Sequence, residues 1–106
     1  MPKYLIEANY VGEGVKGLLK DGGSSRRAAV EKLFASVGGK LEAFYYAFGK
    51  TDLFIIADLP DNVSAAALSL TVNAAGFATS RVTVLLTPEE IDAATKKSPQ
   101  YRPPGQ

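Results

Sequence analysis

The sequence predicts an α+β domain in which two helices cover a single four-stranded antiparallel sheet. Four β-prone runs lie at residues 3–10, 40–48, 52–59 and 79–86. Segments with helical spacing separate the first run from the second and the third from the fourth, while a short glycine-containing connection joins the middle two runs as a hairpin. The resulting order, β-α-β-β-α-β, is the ferredoxin-like arrangement, and a short helix follows the last strand.

The first strand alternates cleanly between two faces, and a glycine-rich segment follows it. One face carries Tyr4, Ile6, Ala8 and Tyr10, and the other carries Leu5, Glu7 and Asn9. Residues 11–19 keep helical spacing, but three glycines spell G-x-G-x-x-G within them, and each costs about 1 kcal/mol in a helix relative to alanine. A dinucleotide site would require a parallel βαβ unit, which this order of elements does not provide. We therefore expect a short, loosely held helix or a flexible turn here.

The remaining helices have recognisable patterns and ends. From Ser24 to Val37, apolar residues recur at i, i+3, i+4 and i+7 and form one stripe, and Gly38 and Gly39 end the helix. The next helix begins after Asp61, a predicted N-cap, and ends near Asn73. The motif TPEE at residues 87–90 is a capping box with proline at the first helical position, so a short helix begins there.

The face of the sheet that the helices leave open is predicted to be apolar. Strand alternation assigns to this face, beside Glu7 and Asn9, the candidate dimer-interface residues Phe44, Tyr46, Phe48, Phe54 and Ile56. A register slip of one residue would exchange the two sets. Both faces of the central strands are apolar in either register, and an apolar patch of several hundred Å² is more than a soluble monomer usually exposes. The open face therefore predicts self-association.

Several segments agree in order and spacing with a known family. They are residues 2–8 (PKYLIEA), 22–33 (GGSSRRAAVEKL), 38–49 (GGKLEAFYYAFG), 58–62 (DLPDN) and 85–91 (LLTPEEI). Through them the chain, up to about Lys97, resembles the GYD domain family. Gly49 and Asp52 match the glycine and aspartate of its signature, but Thr51 stands where the family has an aromatic residue, and Val11 stands where a helix-capping threonine is common.

The resemblance implies a dimeric α/β barrel, in which two ferredoxin-like sheets face each other and the partner is a second copy of the chain. Such folds enclose a cavity between sheet and helices or between subunits. Relatives use it for heme chemistry, cofactor-free oxygenation and lactone isomerisation, so the fold alone does not select an activity.

Composition excludes several classes of site. The 106 residues include no cysteine and no histidine, which removes disulfides, thiolate metal sites, Ser-His-Asp triads and the usual heme ligand. We expect no metal and no cofactor. The 12 basic and 11 acidic residues nearly cancel, which argues against nucleic acid as a partner. Neither a signal peptide nor a membrane-spanning run is apparent, so a cytoplasmic protein without a membrane partner is expected.

One domain over residues 1–97 and an extended proline-rich tail over residues 98–106 are predicted. Residues 96–106 carry three basic side chains and no acid, whereas residues 1–95 carry 9 basic and 11 acidic ones. Three prolines in the tail oppose regular structure. The tail is either a frayed terminus or an arm that packs on a neighbouring subunit.

An anion-binding site is one candidate for chemistry. Ser24, Ser25, Arg26 and Arg27 follow two glycines at a predicted helix start, where free N–H groups and guanidinium groups attract anions. The alternative is structural, with Arg27 paired to Glu31 and Arg26 paired to a strand-end carboxylate, either Asp52 or Asp58.

Polar side chains of the strands are the other candidates. The ligand-binding candidates are Glu7, Asn9, Tyr45, Tyr46 and Arg81. A carboxylate in an aromatic cavity would have a raised pKa and could act as a base. The alternative is an ion pair of Glu7 or Glu42 with Arg81 that fixes subunit register.

Two classes of function remain open. The first is a homo-oligomeric assembly or binding module for a small apolar or anionic ligand. The second is a cofactor-independent enzyme, oxygenase-like or isomerase-like, that acts on a small apolar or aromatic compound with Glu7 or a tyrosine as acid or base. No residue is assigned as catalytic.

Overall fold

The computed structural model describes residues 1–106 and contains four strands and four helices. The strands are β1 (Lys3–Tyr10), β2 (Lys40–Tyr46), β3 (Leu53–Asp58) and β4 (Ala78–Leu85); the helices are α1 (Gly12–Asp21), α2 (Gly23–Ala35), α3 (Asn62–Ala75) and α4 (Pro88–Thr95). All neighbouring strands pair antiparallel, in the order β2-β3-β1-β4. The predicted ferredoxin-like fold is therefore confirmed.

The core lies between one face of the sheet and the helices α2 and α3. Its buried members come from alternate positions of the two central strands and from the helix stripes: Tyr4, Ile6, Ala8, Leu53, Ile55, Ala57, Leu59, Phe34, Ala65 and Leu68. Phe34, from the predicted apolar stripe of α2, is only 4% exposed. Burial of each large apolar side chain contributes about 1.5–3 kcal/mol, so this layer dominates the stability of the domain.

The predicted ends of α3 and α4 are confirmed. The Asp61 carboxylate accepts a hydrogen bond from the backbone N–H of Ser64 at 2.8 Å, and this bond lowers the pKa of Asp61 below its ordinary value. Gly76 follows α3 with a φ of +82°, the left-handed conformation that glycine adopts without strain. At α4, Thr87 and Glu90 form both hydrogen bonds of the capping box.

The glycine-rich segment after β1 is a ten-residue helix, so of the two predicted alternatives the short helix is confirmed and the flexible turn is wrong. Gly14 lies against the backbone of Phe77, where the Cβ of any other residue would collide with the carbonyl oxygen. That same oxygen accepts a hydrogen bond from the N–H of Val11 at 3.1 Å, directly before the helix. Close tertiary packing thus offsets the low helix propensity of glycine.

A β-bulge in β2 overturns part of the predicted face assignment. Leu41 pairs with Ala57, but Ala43 already pairs with Ile56, so one extra residue is accommodated between them. Beyond the bulge, Phe44 and Tyr46 share the helix-covered face with their partners Ile55 and Leu53. The prediction that placed Phe44 and Tyr46 on the open face is wrong, because the alternation on which it relied is broken at the bulge.

The remaining predicted interface residues lie in two different places. Tyr45 pairs with Phe54, and both belong to the open face together with Ile56. Phe48 was predicted within a strand, but β2 ends at Tyr46 and Phe48 lies fully exposed in the connection to β3. Of the five predicted interface residues, the structure places only Phe54 and Ile56 on the open face.

The C-terminal part of the chain extends away from this layered body. No residue of α4 is buried, and residues 96–106 are all exposed. The molecule accordingly measures 58 × 32 × 24 Å along its principal axes. None of the four helices combines the length and apolar character needed to cross a bilayer.

Candidate functional site

The connection between β2 and β3 is anchored to the end of β1 by reciprocal hydrogen bonds. The Asp52 carboxylate accepts from the backbone N–H of Tyr10 at 2.9 Å, and the N–H of Asp52 donates to the side-chain oxygen of Asn9 at 2.9 Å. Nearby, Arg81 donates to the hydroxyl of Thr51 at 3.2 Å. Thr51 is the one buried polar side chain, at 7% exposure. Two predicted ligand residues, Asn9 and Arg81, therefore make structural contacts within the chain.

An apolar cleft opens beside this anchored connection, and we call it the α1 cleft. The α1 cleft has a volume of about 400 Å³ and lies between α1, the first residue of α2 and the ends of β1 and β2. The residues that line it are Tyr10, Val15, Leu18, Leu19, Gly23, Tyr46, Ala47, Phe48 and Asp52. Ligand pockets in proteins typically measure roughly 300–1,000 Å³ and combine apolar walls with a few polar groups. The α1 cleft has both properties.

Tyr46 forms one wall of the α1 cleft and is held in a fixed orientation. Its hydroxyl donates to the carbonyl oxygen of Gly23 at 3.0 Å, and its ring meets Phe44 edge to face with centroids 5.3 Å apart. Tyr46 is 40% exposed, and its partial burial raises the pKa of the phenol above its ordinary value of 10.0; the charge and hydrogen bond of the adjacent Tyr10 phenol add to this effect, and Arg26 opposes it. Tyr46 is therefore a neutral phenol at physiological pH.

A second, smaller space lies within the helix-covered layer, and we call it the inner cavity. Its volume is about 110 Å³, and its walls come from the sheet, α2 and α3: Ile6, Ala8, Tyr10, Arg26, Val30, Leu33, Phe34, Leu53, Ile55, Leu68, Ser69, Val72, Ala78, Ser80 and Val82. Arg26 is its single charged residue, and Tyr10 lines both this cavity and the α1 cleft.

The two adjacent arginines of α2 have different environments. Arg27 pairs with Glu31 at 3.5 Å across one helical turn, as the structural alternative predicted. Arg26 is half-buried and makes no salt bridge, so its predicted pairing with Asp52 or Asp58 is wrong. The reason is that both carboxylates have other partners, the Tyr10 N–H for Asp52 and the Lys3 ammonium for Asp58. Ser24 and Ser25 are exposed at the start of α2.

The open face of the sheet carries the other predicted ligand residues. In the strand register, Glu7 on β1 lies opposite Phe54 on β3 and opposite Arg81 on β4. Tyr45 on β2 lies opposite Phe54. No ion pair joins Arg81 to Glu7 or Glu42 within the chain. A separate ionic cluster is present instead, with Lys3 at 3.3 Å from Glu42 and 3.0 Å from Asp58. Both hydrogen bonds to these carboxylates raise the pKa of Lys3.

The structure divides the predicted ligand residues between the two faces of the sheet. Tyr46 lies in the α1 cleft, whereas Glu7, Tyr45 and Arg81 belong to the opposite, open face. The sequence analysis missed the cleft residues of α1, although the helical spacing of Val15, Leu18 and Leu19 was the signal that could have identified them. No group of three or more acidic side chains converges in a way that could hold a metal ion.

Comparison with known proteins gives one match. The family model described as the GYD domain matches residues 4–95, a segment that includes all of the sheet except Lys3 and all residues that line the α1 cleft and the inner cavity. No curated protein and no solved structure matches the chain.

Proposed function

The chain belongs to the GYD domain family, and we propose that it is a self-associating module that binds a small apolar ligand in the α1 cleft. Fold and family membership leave the activity open, because folds of this kind serve many chemistries. The chemistry of the α1 cleft and of the open sheet face supports this proposal.

The α1 cleft carries the proposal, because its apolar walls are incompletely covered. Leu19 is 81% exposed, and Phe48 is fully exposed beside it. Each Å² of apolar surface removed from water contributes about 25 cal/mol, so a small apolar molecule that covers these side chains gains binding free energy. The cleft is large enough for a compound of ordinary metabolite size.

Binding is favoured over catalysis because the polar groups of the cleft already have partners. The Asp52 carboxylate accepts the Tyr10 N–H, and the Tyr46 hydroxyl donates to the Gly23 carbonyl. These contacts are more suited to fixing the shape of the cleft than to removing a proton.

One observation favours the alternative, a cofactor-independent enzyme acting on a small apolar or aromatic compound. Two phenols, those of Tyr10 and Tyr46, border the same apolar space. The raised pKa of Tyr46 would make this phenol a proton donor rather than a base. Conversion of a bound compound into a product would identify this function.

Self-association through the open face accounts for the apolar side chains that no helix covers. Phe54 and Ile56 lie there on the central strand β3, and Tyr45 is 71% exposed beside them. A second copy of the chain is the partner we propose, since apolar faces on sheets are normally buried against another layer. The α1 cleft lies on the other side of the sheet and stays accessible in such a pair.

A binding screen with a matched pair of variants tests the ligand site. Small aromatic and aliphatic compounds are added to labelled protein, and chemical shifts are followed by NMR over hours so that turnover is also seen. We expect saturable shifts of Leu18 and Leu19. Leu19→Gln should weaken binding, whereas Leu70→Gln, at a similarly exposed position on α3, should not. Equal binding by both variants, or no saturable shifts, would contradict the proposal.

A further inference from the structure

We infer that the inner cavity is a second binding site, specific for a short aliphatic carboxylate whose charged group is bound by Arg26. This site is separate from the proposed α1 cleft, although Tyr10 borders both. Two features carry the inference: a half-buried arginine without a carboxylate partner and an adjacent apolar space.

Arg26 is a free, partly desolvated cation. None of its nitrogens lies within 4.0 Å of a carboxylate, and its side chain makes no hydrogen bond within the chain, whereas the neighbouring Arg27 pairs with Glu31. A guanidinium group presents paired donors that match the two oxygens of a carboxylate, and reduced contact with water strengthens such a pair. Arg26 is therefore the group that selects an anion.

The inner cavity supplies space for the rest of the ligand. Val30, Leu33 and Val72 line it together with core residues of the sheet, and no other charged side chain borders it. Its volume of about 110 Å³ is below the roughly 150 Å³ of an apolar protein cavity that holds benzene. A branched chain of a few carbon atoms is therefore a better fit than an aromatic ring.

The remaining polar groups around the cavity already have partners. Ser69 and Ser80 lie at hydrogen-bond distance from each other, and Ser80 also bonds Asn73, so their hydroxyls have partners. The Tyr10 phenol lies beside the Tyr46 hydroxyl and interacts with it, so it is not a free donor. Arg26 is therefore the polar group that orients the carboxylate.

Acidic residues near Arg26 restrict the direction of approach. Glu13 and Asp21 line a separate groove that Arg26 also borders, and Glu13 is paired with Lys16 at 3.2 Å. Their negative charge disfavours an anion in that groove. The carboxylate of the ligand is thus directed towards the inner cavity, where Arg26 has no competing acid.

The test uses isovalerate and two relatives that each lack one feature. Isovaleramide has the same shape without the charge, and acetate has the charge without the branched chain. At fixed ionic strength, isovalerate should produce saturable NMR shifts of the Val30, Leu33 and Val72 methyl groups. The other two compounds should bind at least about tenfold more weakly, because isovaleramide loses the charge-assisted hydrogen bonds and acetate loses the apolar contacts. Equal binding of isovaleramide, or no saturable shift, would overturn the inference.

Variants of the two arginines provide the matched control. Arg26→Gln should weaken isovalerate binding by about tenfold or more, and Arg27→Gln should leave it unchanged. If Arg26→Gln is unfolded, Arg26→Lys, which keeps the charge but loses the paired donors, should still bind more weakly than wild type. The same loss in Arg27→Gln would overturn the inference. Leu19→Gln, which tests the α1 cleft, should leave isovalerate binding intact, so the two proposals fail independently.

Discussion

The carboxylate of Asp52 accepts a hydrogen bond from the backbone N–H of Tyr10 at 2.9 Å, and this contact ties the β2–β3 hairpin to the end of β1. The N–H of Asp52 in turn donates to the Asn9 side chain and to the carbonyl of Ala8. Asp52 matches the aspartate of the family signature, so a structural role for that position is visible in this chain. It also fixes one edge of the α1 cleft.

Removal of the Asp52 carboxylate should destabilise the domain. Asp52→Ala leaves the Tyr10 N–H without its acceptor, and we expect a loss of about 1.5–3 kcal/mol in the free energy of unfolding, the usual worth of a hydrogen bond to a charged group. Urea denaturation measures it. Asp21→Ala is the control, because Asp21 is exposed and forms no hydrogen bond through its side chain. Equal losses in the two variants would show that the contact contributes nothing specific.

The order of elements was predictable from sequence because each element carries its own local signal. The stripe ending at Val37 marked α2, Asp61 marked the start of α3, and the capping box at residues 87–90 marked α4. The bulge in β2 has no such signal, since it depends on how β2 pairs with β3. One extra residue was enough to move Phe44 and Tyr46 to the other face.

The two cavities were beyond sequence reasoning for a related reason. The sequence identified Arg26 as a candidate anion-binding residue. It did not show that Arg26 lacks a carboxylate partner, because this depends on the contacts that Asp52 and Asp58 make with other groups. The α1 cleft forms because α1 packs beside the ends of β1 and β2, which requires Gly14 to approach Phe77 closely. Such convergence is a property of tertiary packing rather than of local spacing.

Truncation of Phe34 should be the most damaging change in the helix layer. Phe34 is 4% exposed and packs between α2 and the sheet, so Phe34→Ala should lower the free energy of unfolding by about 3–5 kcal/mol. Chemical denaturation measures the loss. Val63→Ala is the control, because Val63 lies exposed at the start of α3 and should lose less than about 0.5 kcal/mol. A loss below about 1 kcal/mol for Phe34→Ala would contradict the observed packing.

The raised pKa of Tyr46 predicts a change of stability at alkaline pH. In the unfolded chain this phenol ionises near its ordinary value of 10.0, whereas burial keeps it protonated to higher pH in the folded state. Its contribution to stability is therefore full below pH 10.0 and is lost as the pH rises through the folded-state pKa. In an ultraviolet titration, the Tyr46→Phe variant should lack one late-ionising phenol that wild type shows. Its melting temperature should fall less steeply above pH 10.0 than that of wild type.

Tyr45→Phe is the control for this titration, because Tyr45 is 71% exposed and belongs to the opposite face of the sheet. It should leave the late-ionising component in place. If the Tyr46→Phe spectrum instead lost a phenol that ionises at or below the ordinary value, the contact of Tyr46 with Gly23 would not persist in solution.

Self-association through the open face makes a prediction centred on Phe54. This residue lies on a central strand between Glu7 and Tyr45, yet no helix covers it and 37% of it is exposed. Sedimentation equilibrium at micromolar concentration should show a dimer or a multiple of one. Phe54→Gln should weaken association by about tenfold or more, since burying an unpaired amide costs roughly 1–3 kcal/mol.

Glutamine is chosen because it introduces no new charge next to Glu7. A charge at this position would change the stability of the sheet as well as its association. Leu70→Gln serves as the matched control, because Leu70 is 71% exposed on α3, which packs on the other face of the sheet. The control should sediment as wild type does, while Phe54→Gln shifts towards monomer with its circular dichroism unchanged. A wild-type protein that is monomeric and well folded at these concentrations would contradict the proposed pairing, because the apolar open face would then be stable in water without a partner.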